Sequence, residues 1–143
     1  MIKNIFTLIL TSTTIFAGEA GIQSRELSTN DMKAQNTQIV KLAAAEISKS
    51  LPNKIDRYTK LVSVEADNTT LVYVYEIDTT PKSDAEVKKK DHSRMEKAIT
   101  EGTCRSSKRF LEANISLRYI YKSANTKAEL FKFNIDQESC FKL

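Results

Sequence analysis

The sequence predicts an α+β domain: a four-stranded antiparallel sheet with helices packed on one face, in the order α-β-β-α-(short α)-β-β, with one disulfide. Three observations predict it. Two segments alternate apolar and polar residues on either side of a short polar turn, two longer segments carry apolar residues at helical spacing, and the only two cysteines stand before and after the last hairpin.

The first helix is expected in "STNDMKAQNTQIVKLAAAEISKSLP". Ser28 to Asn30 offer caps, Met32, Ile39, Val40, Ala43, Ala44, Ile47 and Leu51 trace one side, and Pro52 enforces a stop. The small residues Ala43 to Ala45 permit close approach to a sheet. "YTKLVSVEADNTTLVYVYEID" then reads as a hairpin, with Val62 and Val64 alternating on one strand and Leu71, Tyr73, Tyr75 and Ile77 on its partner. Asp67 and Asn68 supply the turn. Val72 and Val74 make the opposite face partly apolar, as in an inner strand.

Pro81 opens a second helical segment. Ser83 and Glu86 stand at capping-box spacing, Val87, Met95, Ala98 and Ile99 form a narrow apolar stripe, and Gly102 is placed to end the helix. A shorter helix, "SSKRFLEAN", places Phe110 and Leu111 against the core. In the last hairpin Ile115, Leu117, Tyr119 and Tyr121 alternate with Ser116, Arg118 and Ile120, and Phe131, Phe133 and Ile135 alternate with Lys132 and Asn134 after the turn "SANTK".

The chain opens "MIKNIFTLILTSTTIFAGEA". Lys3, the apolar run from Ile5 to Phe16 and small residues at Ala17, Gly18 and Ala20 have the layout of a secretory signal, with cleavage expected after Ala17 or Ala20. Residues 1–20 are therefore expected to be a signal peptide and 21–143 a single α+β domain, with Gly18 to Leu27 spanning the junction as a loose arm. A periplasmic or secreted location follows, and with it an oxidising compartment. Cys104 and Cys140 lack Cys-x-x-Cys spacing, and His92 is the only histidine to complete a zinc site. A structural disulfide is the expectation, ahead of intermolecular thiols or a metal, and neither a metal nor a cofactor is predicted.

The net charge of +4 eases encounters with anionic partners without marking a nucleic-acid site. No Gly-rich phosphate loop, zinc-protease motif or serine-hydrolase elbow is present. His92 sits in a charged helical stretch and reads as a solvated helix residue. The carboxylates Glu65, Asp67, Glu76 and Asp78 could serve acid–base chemistry only if folding gave them unequal burial. The candidate binding residues are Tyr73, Tyr75, Tyr119 and Tyr121, whose rings can fill a half-buried sheet while the hydroxyls stay wet. Arg105, Lys108 and Arg109 form a basic cluster that, joined by Lys88 to Lys90, would make an anionic docking patch. "EANIS" places Asn114 in the pattern of the extended acceptor motif of bacterial N-glycosylation, making it a candidate acceptor.

The combination of Leu51-Pro52, Thr59 and Leu61, Tyr73 and Tyr75, Cys104, Tyr119 and Tyr121, and Cys140 resembles a family of small exported bacterial proteins of unassigned function. The match runs from Leu51 to Cys140. The helix-plus-sheet plan is also similar to nuclear-transport-factor-2-like and cystatin-like domains, from which the helix inserted between the hairpins departs. Together these imply a secreted or periplasmic non-enzymatic binding or accessory protein that recognises an envelope protein or anionic cell-wall polymer, with no nucleic acid and no membrane span after signal cleavage. The alternatives are a small pocket enzyme of the nuclear-transport-factor-2-like kind with an Asp or Glu base, and a structural component of an envelope complex.

Overall fold

The computed structural model describes residues 28–143. The expected signal peptide and the loose arm lie outside the described residues. Within them the order is α1 (Thr29–Ser48), β1 (Asn53–Lys54), β2 (Thr59–Asp67), β3 (Thr70–Ile77), α2 (Asp84–Ser106), α3 (Lys108–Glu112), β4 (Ser116–Ser123), β5 (Glu129–Ile135) and α4 (Gln137–Phe141).

The sheet is five-stranded and mixed, with spatial order β1-β2-β3-β4-β5, which corrects the expected four-stranded antiparallel sheet. The neighbours β1–β2, β2–β3 and β4–β5 run antiparallel, but β3 and β4 run parallel, with Tyr73 opposite Tyr119 and Tyr75 opposite Tyr121. The physical reason is the connection. A tight turn reverses a chain, whereas a helical crossover carries it back to the end where the previous strand began, so the next strand starts out in the same direction. The segment α2–α3 is such a crossover. The fifth strand went unread because β1 is two polar, exposed residues, Asn53 and Lys54, with no alternation to betray it. α4 is likewise an addition, capped by Asp136, which accepts from the backbone N–H of Ser139.

Local chemistry explains the remaining bounds. Ser28 caps α1, and Ser83 and Glu86 close the reciprocal capping box of α2. Asn68 takes the turn between β2 and β3 at φ 53°, a left-handed conformation that asparagine tolerates. A bulge at Val62 breaks the expected Val62/Val64 alternation, so that Leu61 and Val64 are the residues buried instead. Gly102 does not end α2, which continues to Ser106.

α1 and α2 lie over the same face of the sheet. Val40 and Ala44 of α1 pack on Leu61, Val64, Leu71 and Ile115; Val87 of α2 packs with Leu117, Tyr121, Phe131, Phe133 and Ile135. Tyr73 and Tyr75 touch both clusters and join them. Met32 and Ile39, expected on the buried side of α1, are exposed, as is Phe110 of α3, whose neighbour Leu111 alone reaches the core. A disulfide joins Cys104, near the end of α2, to Cys140 in α4.

Candidate functional site

α1 covers β2 and β3, and α2 covers β5. Between them the middle of the sheet stays open, and the alternation of β3 and β4 puts a tyrosine at each uncovered position. Tyr73 and Tyr119 stack with centroids 5.4 Å apart, Tyr75 and Tyr121 at 4.8 Å, and Tyr75 and Tyr119 at 6.4 Å. Parallel in-register pairing sets like rings side by side, so the four form one continuous aromatic platform.

Tyr75, Tyr119 and Tyr121 are the floor of an open groove of about 830 Å³. One wall is α2, from Val87 through Met95 and Ile99 to Ser106, and the other is the loop between β1 and β2 with Ile55 and Tyr58. At a rise of about 1.5 Å per residue, the α2 wall is about 28 Å long. Its small residues, Ala98, Gly102 and Ser106, recur every fourth position along it.

The floor has a distinct hydrogen-bonding state. Buried Thr103 donates its hydroxyl proton to Tyr119 Oη at 3.0 Å, whereas the hydroxyls of Tyr75 and Tyr121 meet no partner among the described residues. Burial raises the pKa of all four tyrosines, that of Tyr75 to about 12, because a phenolate there would be poorly hydrated and close to its neighbours. The groove therefore presents neutral hydroxyls on an apolar bed.

Its charges gather at the end nearest the start of α2. Asp56 and Asp78 line that end with Lys82, while Asp91 is paired with Arg94 at 2.8 Å. The Asp56 carboxylate accepts from the backbone N–H groups of Tyr58 and Thr59, and Asp78 from the side chain and backbone of Thr80. These bonds favour the charged form and hold both carboxyls below their usual range.

The other sequence candidates disperse. Among the carboxylates, Asp67 pairs with Arg118 at 2.9 Å, Glu76 with Lys127 at 2.7 Å, and Glu65 accepts from Ser63. Arg105, Lys108 and Arg109 lie at the far end of α2 from Lys88–Lys90, about 22 Å away along the helix, so the two clusters do not form one patch. His92 is exposed, its ring against Phe133 and its Nδ1 3.8 Å from Glu96. Asn114 is exposed in the turn between α3 and β4, at φ 61°. Among the described residues no cluster of histidine, cysteine and carboxylate side chains could hold a metal, and no helix is long and apolar enough to cross a membrane. Sequence reasoning read Val87, Met95, Ala98 and Ile99 only as a stripe for the core and placed Tyr58 at the start of a hairpin; it left Ile55 unread and took Gly102 for a terminator, so the groove itself was missed.

A disulfide-stapled α+β module, two helices parted over a mixed sheet to leave an aromatic groove, is the class that fold and site define. Residues 34–131 match the family model DUF8479, a domain of unknown function, and the chain belongs to that family. No curated protein matches the sequence. Among solved structures it is similar to PA3611 of Pseudomonas aeruginosa, described as a predicted secreted protein (TM-score 0.68, 13% identity, 76% of this chain and 96% of that one). It is also similar to EpsS, the pilotin of the Vibrio vulnificus type 2 secretion system (0.65, 11%, 78% and 96%), and to AspS, the type II secretion pilotin of Vibrio cholerae (0.59, 16%, 78% and 97%). At these identities the likeness is one of fold. None of these matches is to a nuclear-transport-factor-2-like or cystatin-like domain, so that resemblance gains no support from them.

Proposed function

We propose that the protein is an exported, non-enzymatic accessory protein that binds a segment of an envelope protein in the tyrosine-floored groove. The single observation that carries this is the groove itself: long, open along its length, floored by tyrosine rings and walled by a helix face. That shape suits a polypeptide segment better than a small molecule, which is generally enclosed over most of its surface. Catalysis by an Asp or Glu base would call for a carboxyl raised towards neutrality, yet Asp56 and Asp78 are held low. The separation of the two basic clusters argues against an anionic polymer as the ligand. Export is supported by the predicted signal peptide, by the disulfide, and by likeness in fold to a predicted secreted protein and two secretion pilotins.

The test is site-specific photo-crosslinking in the host, with the reactive side chain at Ile99 on the groove wall or at Lys132 on the opposite face of the sheet. The expected outcome is one envelope protein captured from position 99 and not from 132, and lost when Tyr75 and Tyr119 are replaced by alanine. Equal capture from both faces, or none from the groove, overturns the proposal.

A further inference from the structure

One motif of the sequence is not absorbed by the groove. "EANIS" sets Glu112 two residues before Asn114 and Ser116 two residues after it, and the fold leaves Asn114 exposed in the turn between α3 and β4. The left-handed backbone there, φ 61°, accounts for an asparagine by itself, since asparagine tolerates that conformation. It does not account for the other two residues. Glu112 makes an exposed pair with Lys108 at 3.7 Å, which contributes little to stability, and Ser116 is held through its backbone, its N–H donating to the Thr69 carbonyl at 3.0 Å. The turn is closed by main-chain bonds, from Asn114 N–H to the Leu111 carbonyl at 3.0 Å and from Ile115 N–H to the Phe110 carbonyl at 2.9 Å. It does not depend on the asparagine amide.

The chain supplies its own comparison. Asn68 also stands two residues before a threonine, exposed in the turn of the first hairpin at φ 53°. There Ala66 takes the place of the acid, and the Asn68 amide donates to Asp67 at 3.2 Å. The two asparagines share backbone conformation and exposure and differ in the acid.

The folded domain shields the rest of the motif. A transferase that reads Glu112, Asn114 and Ser116 together must take all five residues into its own cleft. Here Ile115 is 2% exposed, in the cluster of Val40, Ala44, Leu61, Val64 and Leu71. The Ala113 carbonyl accepts from Asn36 Nδ2 at 2.6 Å, and Ser116 begins β4 opposite Thr70. The segment is available only before β4 is laid against β3. A chain crossing a membrane N-terminus first presents Asn114 ahead of β5 and Cys140, which complete the core around β4 and close the disulfide.

We propose that Asn114 is an N-glycosylation acceptor, filled during export and before the last hairpin folds, and that Asn68 is not. This rests on the export reading and is independent of the groove. Asn114 Nδ2 attacks the anomeric carbon of a polyprenyl-diphosphate-linked oligosaccharide. A C–N bond forms as the sugar C–O bond breaks, the polyprenyl diphosphate leaves with that electron pair, and the proton lost from Nδ2 passes to a base of the transferase.

The test produces the full precursor in a bacterial cell that carries a periplasmic oligosaccharyltransferase and its lipid-linked oligosaccharide. Tryptic peptides 110–118 and 61–82 are then read by mass spectrometry. Peptide 110–118 is expected to carry the oligosaccharide and 61–82 to lack it. Glu112→Gln and Ser116→Ala should each cut occupancy at least about tenfold with circular dichroism unchanged, and Ser116→Thr should retain it. Paired Cys104→Ser and Cys140→Ser replacement, which leaves the last hairpin unpinned, should raise it. In vitro, the same transferase should modify a synthetic peptide of residues 110–118 at least about tenfold faster than the purified oxidised domain, which must first open there. The proposal falls if exported protein is unmodified at Asn114, if Glu112→Gln or Ser116→Ala leaves occupancy unchanged, or if Asn68 is modified equally. Equal rates for peptide and folded domain overturn the order of events. A precursor retained in the cytoplasm with its N-terminus intact defeats the export reading instead; the peptide then judges the acceptor, and its failure to be modified sinks it.

Discussion

At the scale of single residues, the molecule separates those that hold it together from those that keep it open. Phe131, 2% exposed and packed with Tyr121 and Phe133, belongs to the first kind; Phe131→Ala should cost about 3–5 kcal/mol, read as a fall in the denaturant midpoint. Gly102 belongs to the second. Gly102→Ala should stabilise the isolated domain by about 0.5–1 kcal/mol, since helix propensity improves and nothing is met, so an unchanged or lower midpoint would contradict the open space seen there. Such a residue is hard to recognise in a sequence, because glycine near the end of a helical pattern ordinarily terminates it. The tyrosines were legible as a strand-borne group, since alternation alone puts Tyr73 with Tyr75 and Tyr119 with Tyr121 on common faces. That all four would meet on one platform was not.

At the scale of elements, α2 is held at both ends, and the two attachments respond to different conditions. At its start, Asp84 accepts hydrogen bonds from Thr126 and Thr79, joining the helix to the turn between β4 and β5 and to the loop that follows β3. Those bonds, and the Ser83 cap on Glu86, hold both carboxyls below their usual range, as Ser139 does for Asp136. A carboxyl whose folded pKa lies below its unfolded one stabilises the fold above the unfolded value and loses that contribution as pH falls through the folded value. Stability should therefore fall once the pH drops below about 4, and Asp84→Asn should reduce that dependence in thermal melts across pH 2–6. At its far end α2 is tied to α4 by Cys104 and Cys140, 36 positions apart. Paired Cys104→Ser and Cys140→Ser replacement should lower stability by about 3–4 kcal/mol in the chain-entropy picture, measured by urea unfolding against the oxidised domain. The capping box was plain from Ser83 and Glu86 because it is a contact between near neighbours. The Asp84 attachment was not, because Thr126 lies 42 positions away.

At the scale of the whole molecule, two helices share one sheet face without covering it, and a groove is what remains. If docking is its purpose, protein recovered from the host should begin after Ala17 or Ala20, carry an oxidised Cys104–Cys140 pair and be recovered with the envelope fraction. An intact N-terminus with two free thiols in mass spectrometry would place it in a reducing compartment instead. By itself the sequence determined three of the four helices, four of the five strands and the tyrosine-bearing faces, because each depends on periodicity or chemistry within a short window, and the staple, because only two cysteines are there to pair. Only the tertiary structure decided that β3 and β4 run parallel, that β1 joins the edge, and that the two helices part over the tyrosines. Those depend on where long connections bring the chain back, and strand alternation reads the same in either direction.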